Sequence, residues 1–73
     1  MTEAHLRRVA ANVIILPDGT RLRNHVVELL AGRLVNVYPL EGELPLTEWL
    51  GGTIQFDPLP PHTPHHSGGV SLS

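Results

Sequence analysis

Runs of β-branched and other apolar residues, broken by turn residues, dominate the first 56 positions of this chain. The run at 9–16 holds four consecutive bulky apolar residues and no helical period, which is typical of a β-strand. Strand alternation predicts one shared face for four of its residues: Val9, Ala11, Val13 and Ile15. The opposite face is also largely apolar, so we expect both faces to be covered, by a second sheet or by a partner subunit.

Turn residues separate this strand from the apolar runs that follow. Residues 17–20 combine a proline that fixes φ, an aspartate that bonds backbone amides and a glycine that accepts positive φ. Residues 20–24 are either a short strand or an extended connection, and a second clear strand covers 25–30. Ala31-Gly32 then predicts a tight hairpin into a third strand at 33–38, which the following proline ends.

The rest of the apolar part predicts further short strands. Alternation in the third strand puts Leu34, Asn36 and Tyr38 on one face. Residues 46–50 are either one helical turn or a short extended piece, and 53–56 form a last strand after two glycines. The fold class is all-β, as a small β-sandwich or barrel-like antiparallel sheet of about four to five short strands.

Composition changes sharply at Asp57. Residues 57–73 hold four of the seven prolines and three of the five histidines, but only one charged residue. We expect a flexible, disordered C-terminal tail, because such a segment buries too little apolar surface to offset its ordering entropy. The remaining domain, residues 1–56, lies below the roughly 70–80 residues that usually sustain one core unaided. With no cysteine available for disulfides, the expected remedy is association with another chain.

Charge and hydropathy exclude several classes of protein. The formal charge is −2, and all five Lys and Arg residues are arginines that form no basic stripe along the sequence. This balance argues against a nucleic-acid partner. No run approaches the ~20 apolar residues of a membrane-spanning helix, so we expect no membrane partner. The stretch after Arg7-Arg8 is too short for a secretory signal and ends in a turn, so we expect a cytoplasmic protein.

Several short motifs together resemble a known family. They are a first strand followed by Asp18-Gly19, then Val26-Val27-Glu28, Ala31-Gly32-Arg33-Leu34-Val35-Asn36-Val37 and Leu50-Gly51-Gly52-Thr53-Ile54. Their order over residues 9–54 resembles the N-terminal β segment of the amidohydrolase superfamily of metal-dependent hydrolases. In that family the segment belongs to a composite β-sandwich beside a catalytic TIM barrel. The family's His-x-His metal-ligand pair does not follow Phe56 here, so the resemblance implies an accessory β module with no catalytic residue.

Three histidines of the tail, His62, His65 and His66, suggest a different chemistry. Imidazole suits Zn, Ni or Cu, and a flexible backbone could bring two or three rings around one ion. The competing interpretation is that they are solvated polar residues. A metal-binding protein that uses this tail is therefore the alternative function.

Four apolar side chains are candidates for an interface: Val13, Ile15, Tyr38 and Trp49. Large aromatic residues are common at interface hot spots, although a domain with one Trp, one Tyr and one Phe also needs them for its core. We expect a non-catalytic protein without a cofactor. It would act as a homo-oligomer, or as an accessory module that completes the sandwich of a partner hydrolase.

Overall fold

The computed structural model of the chain describes residues 6–42 and 46–72. Every regular element in this part is a β-strand, so the predicted all-β class is confirmed. The described residues contain no helix that could cross a membrane. One sheet holds six strand segments: β1 Leu6–Ile15, β2 Arg21–Leu30, β3 Arg33–Pro39, β4 Thr47–Trp49, β5 Thr53–Phe56 and β6 Pro64–His66.

The first three strands form an antiparallel meander joined by the two predicted turns. In the first turn the Thr20 amide donates to Asp18 Oδ1 at 2.9 Å, and this bond lowers the pKa of Asp18. β2 begins at Arg21, so the segment after this turn is part of a strand. In the second turn Ala31 and Gly32 have φ angles of 52° and 77°, as a type I′ hairpin turn requires.

β4 and β5 lie one after the other along the remaining edge of β1, and both run parallel to it. The sheet order is β3-β2-β1-β5-β6, with β4 also beside β1. The sheet is therefore mixed, whereas an antiparallel sheet was predicted. The segment around β4 is extended and not a helical turn. Gly51-Gly52 inserts one extra residue between the two strands, since Ala10 pairs with Trp49 but Val13 pairs with Thr53.

Residues 57–72 lie against the sheet, which differs from the flexible C-terminal tail expected from composition. Pro64–His66 forms β6 antiparallel to β5, and the Ser67 amide donates to the Thr53 carbonyl at 2.9 Å. Leu72 is only 4% exposed and belongs to the hydrophobic core. Composition missed this arrangement because the apolar partners of the tail lie on distant strands.

The hydrophobic core gathers side chains from one face of the sheet and from the end of this C-terminal segment. Three strands and the tail supply its buried members: Val9, Ala11, Ile14, Val27, Leu29, Ile54, Phe56 and Leu72. On this face the cover that β1 needs is therefore supplied by the chain itself.

Arg7 fastens the end of the tail to the sheet. Its Nε lies 2.7 Å from Glu48 Oε2, and another guanidinium nitrogen donates to the Ser71 carbonyl. The hydrogen bond from Arg7 lowers the pKa of Glu48. One arginine thus joins β1, β4 and the tail.

The alternation of side chains between the two faces changes once along β1 and β2. On β1, Ala11 and Ile14 both face the core although they are three positions apart. On β2, Asn24 has a φ of 55°, which asparagine adopts more readily than most residues. The face predicted to be shared is therefore split into two pairs that lie on opposite sides: Val9 with Ala11, and Val13 with Ile15.

A β-bulge at Val35 interrupts the alternation in β3. Leu34 and Val37, on either side of it, both pack against the core. Asn36 and Tyr38 lie on the opposite face. The prediction that Leu34 shares their face is therefore wrong.

Candidate interaction surface

The sheet face that points away from the core, here called the outer face, gathers side chains from all six strands. Its middle is screened from solvent, because two of its residues, Ala10 and Val26, are almost fully buried. Cross-strand pairing places the following residues on it: Leu6, Arg8, Ala10, Val13, Ile15, Arg21, Arg23, Val26, Glu28, Leu30, Arg33, Asn36, Tyr38, Thr47, Trp49, Thr53, Gln55 and His65.

Glu28 is the centre of a hydrogen-bond network on the outer face. Its Oε2 accepts from Arg8 Nε at 2.8 Å and from the Tyr38 hydroxyl at 2.9 Å. Its Oε1 accepts from Asn36 Nδ2 at 3.4 Å. The Glu28 side chain is 12% exposed, and a carboxylate so screened from water needs such partners. Because the donors lie on β1 and β3, the network joins three strands.

The network also determines the protonation of its two acidic groups. Hydrogen bonds from the Arg8 guanidinium, and then from the Tyr38 hydroxyl, lower the pKa of Glu28. Burial, and then the Glu28 carboxylate, raise the pKa of Tyr38. At neutral pH the carboxylate is therefore an acceptor and the phenol a donor.

Glu28→Gln is expected to make the loss of stability in acid less steep. Because the pKa of Glu28 is lowered on folding, its pairing stabilises the fold above the unfolded pKa of about 4.3. That contribution is lost as the pH falls through the folded-state pKa. Thermal midpoints measured from about pH 7 down to about pH 2 should therefore fall less in the variant than in the wild type.

Glu41→Gln is the matched control for this experiment. Glu41 is exposed and forms no ion pair within residues 6–42 and 46–72. If both variants lose the same part of the acid dependence, the network around Glu28 is not its source.

The four predicted interface side chains all lie on the outer face. Trp49 is the most exposed of them, at 55%. Val13 and Ile15 are half-buried, as is Tyr38, whose hydroxyl is held by Glu28. Their contact with a partner stays a prediction, but the fold does bring them to one surface.

The three histidines of the tail bond to different groups. His62 Nδ1 lies 3.0 Å from the Asp57 carbonyl oxygen, and His65 Nε2 lies 3.3 Å from Asp57 Oδ2. Within residues 6–42 and 46–72, no three His, Cys, Asp or Glu side chains converge as metal ligands. Metal binding by His62, His65 and His66 stays a prediction, and it would require them to leave these positions.

His66 and Ser67 hold the tail to the Gly51-Gly52 segment. His66 Nε2 lies 3.0 Å from the Gly51 carbonyl oxygen, to which it donates, while Nδ1 accepts from the Gly68 amide at 3.2 Å. Ser67 Oγ accepts from the Thr53 amide at 3.0 Å. In this structure His66 thus has a packing role that the sequence did not suggest.

A groove of about 520 Å³ follows the seam between the tail and the β2–β3 turn. Ala31 to Arg33 form one wall, and residues of β6 and the tail form the other. Because Leu72 lines the groove and also belongs to the core, the groove marks where the tail closes on the sheet.

The Glu28 network was missed by sequence reasoning, although one signal was present. Glu28 is the one charged residue in the apolar run at 26–30, and a carboxylate inside a strand needs a partner. Those partners, Arg8 and Tyr38, are 20 and 10 positions away. Only the pairing of β2 with both neighbours identifies them.

Comparison of the chain with models of known protein families, and with curated proteins, found no match. The likeness to the amidohydrolase superfamily therefore rests on the short motifs alone.

Proposed function

We propose that this chain is a non-catalytic β module that acts by binding another protein chain through its outer face. The observation that supports this best is Trp49, an indole that is 55% exposed on the strand beside β1. Tryptophan buried at an interface contributes more binding free energy than most residues. Val13 and Ile15 lie on the same face and extend the apolar surface.

Two kinds of partner fit this proposal. One is a second copy of the chain, which would compensate for the small core. The other is a metal-dependent hydrolase whose composite β-sandwich the module would complete. The motifs over residues 9–54 support the second form, as does the meander of three antiparallel strands that they occupy.

Trp49→Ala is expected to weaken this association by about 30-fold or more, the loss typical of an interface hot spot. Leu59→Ala is the matched control, because Leu59 is 75% exposed but lies on the tail, away from the outer face. Sedimentation equilibrium of the pure chain measures self-association. Calorimetry with an amidohydrolase from the same source, one that lacks its own N-terminal β segment, measures the hydrolase form.

Circular dichroism must first show that both variants are folded. If the two substitutions weaken association equally, the outer face is not the interface. A chain that stays monomeric at micromolar concentration and forms no complex with such a hydrolase would contradict both forms of the proposal.

A further inference from the structure

The outer face is positively charged in a chain that is negative overall. Its described residues include four arginines against one glutamate, a net +3, whereas the whole chain carries −2. The remainder of the chain therefore carries −5, the difference between these two values. Because Arg8 is paired with Glu28, the remaining positive charge of the face lies at Arg21 and Arg23 near one end of β2, and at Arg33 near the other end.

Arg21 and Arg23 border the half-buried apolar pair of β1. Pairing places Arg21 opposite Ile15 and Arg23 opposite Val13. Both arginines are exposed, and neither forms an ion pair with another described residue. Directly opposed side chains start only about 4.5–5.5 Å apart at Cβ, so each arginine adjoins the apolar pair. A guanidinium so placed offers a planar pair of donors that matches a carboxylate.

We propose that the outer face binds an extended protein segment that presents carboxylates beside apolar side chains. Arg21 and Arg23 would bind the carboxylates, while Trp49 and the apolar pair of β1 would take the apolar side chains. Trp49 pairs with Ala10, and Arg21 pairs with Ile15. The site therefore extends along β1 from Ala10 to Ile15, about 17 Å or the length of five strand residues. This inference rests on the proposed function and specifies the chemistry of its partner.

The charge of the face argues against two other occupants. A second copy bound through a two-fold symmetric interface would set two faces of net positive charge against each other, and like charges repel. A nucleic acid would meet the −5 carried by the remainder of the chain, which opposes the approach of a polyanion.

Two synthetic peptides of about six residues, the length that matches this span, test the inference. One alternates valine with glutamate and the other alternates valine with lysine. In calorimetry with the full chain at low ionic strength, the acidic peptide is expected to bind about tenfold more tightly. In amide NMR spectra its shifts should centre on positions 13, 15, 21, 23 and 49.

Charge-reversed variants supply the controls. Arg21→Glu/Arg23→Glu is expected to reverse the preference between the two peptides. If charge reversal unfolds the chain, Arg21→Gln/Arg23→Gln replaces it and is expected to abolish the preference. Arg33→Glu should retain the preference, because Arg33 is an exposed arginine beside the β2–β3 turn, at the opposite end of β2 from Arg21 and Arg23. Trp49→Ala should weaken binding of the acidic peptide.

Each other outcome would overturn the inference in a recognisable way. If both peptides bind equally and Trp49→Ala abolishes that binding, the partner is not acidic, but association through the outer face is still supported. If the acidic peptide is preferred but Trp49→Ala does not change its affinity, the apolar part of the proposed site is contradicted. A thymidine oligonucleotide that binds as tightly as the acidic peptide would favour nucleic acid instead. If neither peptide binds, the inference fails, while sedimentation and the hydrolase titration still decide the proposed function.

Discussion

A chain that ends at Phe56 is expected to lose its folded structure. The missing segment supplies β6 and the buried Leu72, which belongs to the same core cluster as residues of β1, β2 and β5. Deleting the side chain of one buried leucine costs about 2–5 kcal/mol, whereas a domain of this size is stable by only about 4–11 kcal/mol. Removing the whole segment should therefore exceed the available stability.

Amide NMR dispersion and thermal melting followed by circular dichroism measure this effect. The truncated chain should show narrow dispersion and no cooperative transition. Two point variants locate the cause: Leu72→Ala should cost about 2–4 kcal/mol, and Leu59→Ala, at an exposed site of the same segment, less than about 0.5 kcal/mol. A truncated chain that melts like the full chain would show that the core does not depend on this segment.

Gly52→Ala is expected to destabilise the fold by about 2–4 kcal/mol. Gly52 has a φ of 58°, which costs a residue with a Cβ about 1 kcal/mol. A Cβ at this position would also lie 2.4 Å from Ser67 Oγ. Ser67 can relieve that clash only by rotating away, which removes its bond from the Thr53 amide.

Gly42→Ala separates these two causes. Gly42 has a similar φ of 65°, but no atom of residues 6–42 and 46–72 lies within 4 Å of a Cβ built there, so its variant should lose only about 1 kcal/mol. In a Ser67→Ala background the loss of unfolding free energy caused by Gly52→Ala should also fall to about 1 kcal/mol, because both the clash and the bond are already gone. Denaturant unfolding measures all of these variants. If Gly52→Ala costs no more than Gly42→Ala, Ser67 does not restrain this position.

The strands and turns of the meander were predictable because their causes are local. Pro17 and Asp18 favour the first turn through their own geometry and hydrogen bonding. Ala31-Gly32 supplies the positive φ angles of a type I′ turn between two apolar runs. These effects act within a few residues, so the sequence contains them directly.

The candidate site was predictable only in part. Trp49 could be singled out because it is the one tryptophan in a small chain. Nothing in the sequence near the arginines at 21 and 23 showed that they border Val13 and Ile15. That juxtaposition depends on the register between β1 and β2.

The sequence by itself determined the all-β class and the two turns that join the first three strands. Only the tertiary structure decided which face each side chain occupies and what covers the core. The physical reason for the first is that a single irregular residue, such as Asn24 or Val35, reverses the face of every residue beyond it. The reason for the second is that Leu72 has no apolar partner nearby in the chain, so its burial appears only when the strands are assembled.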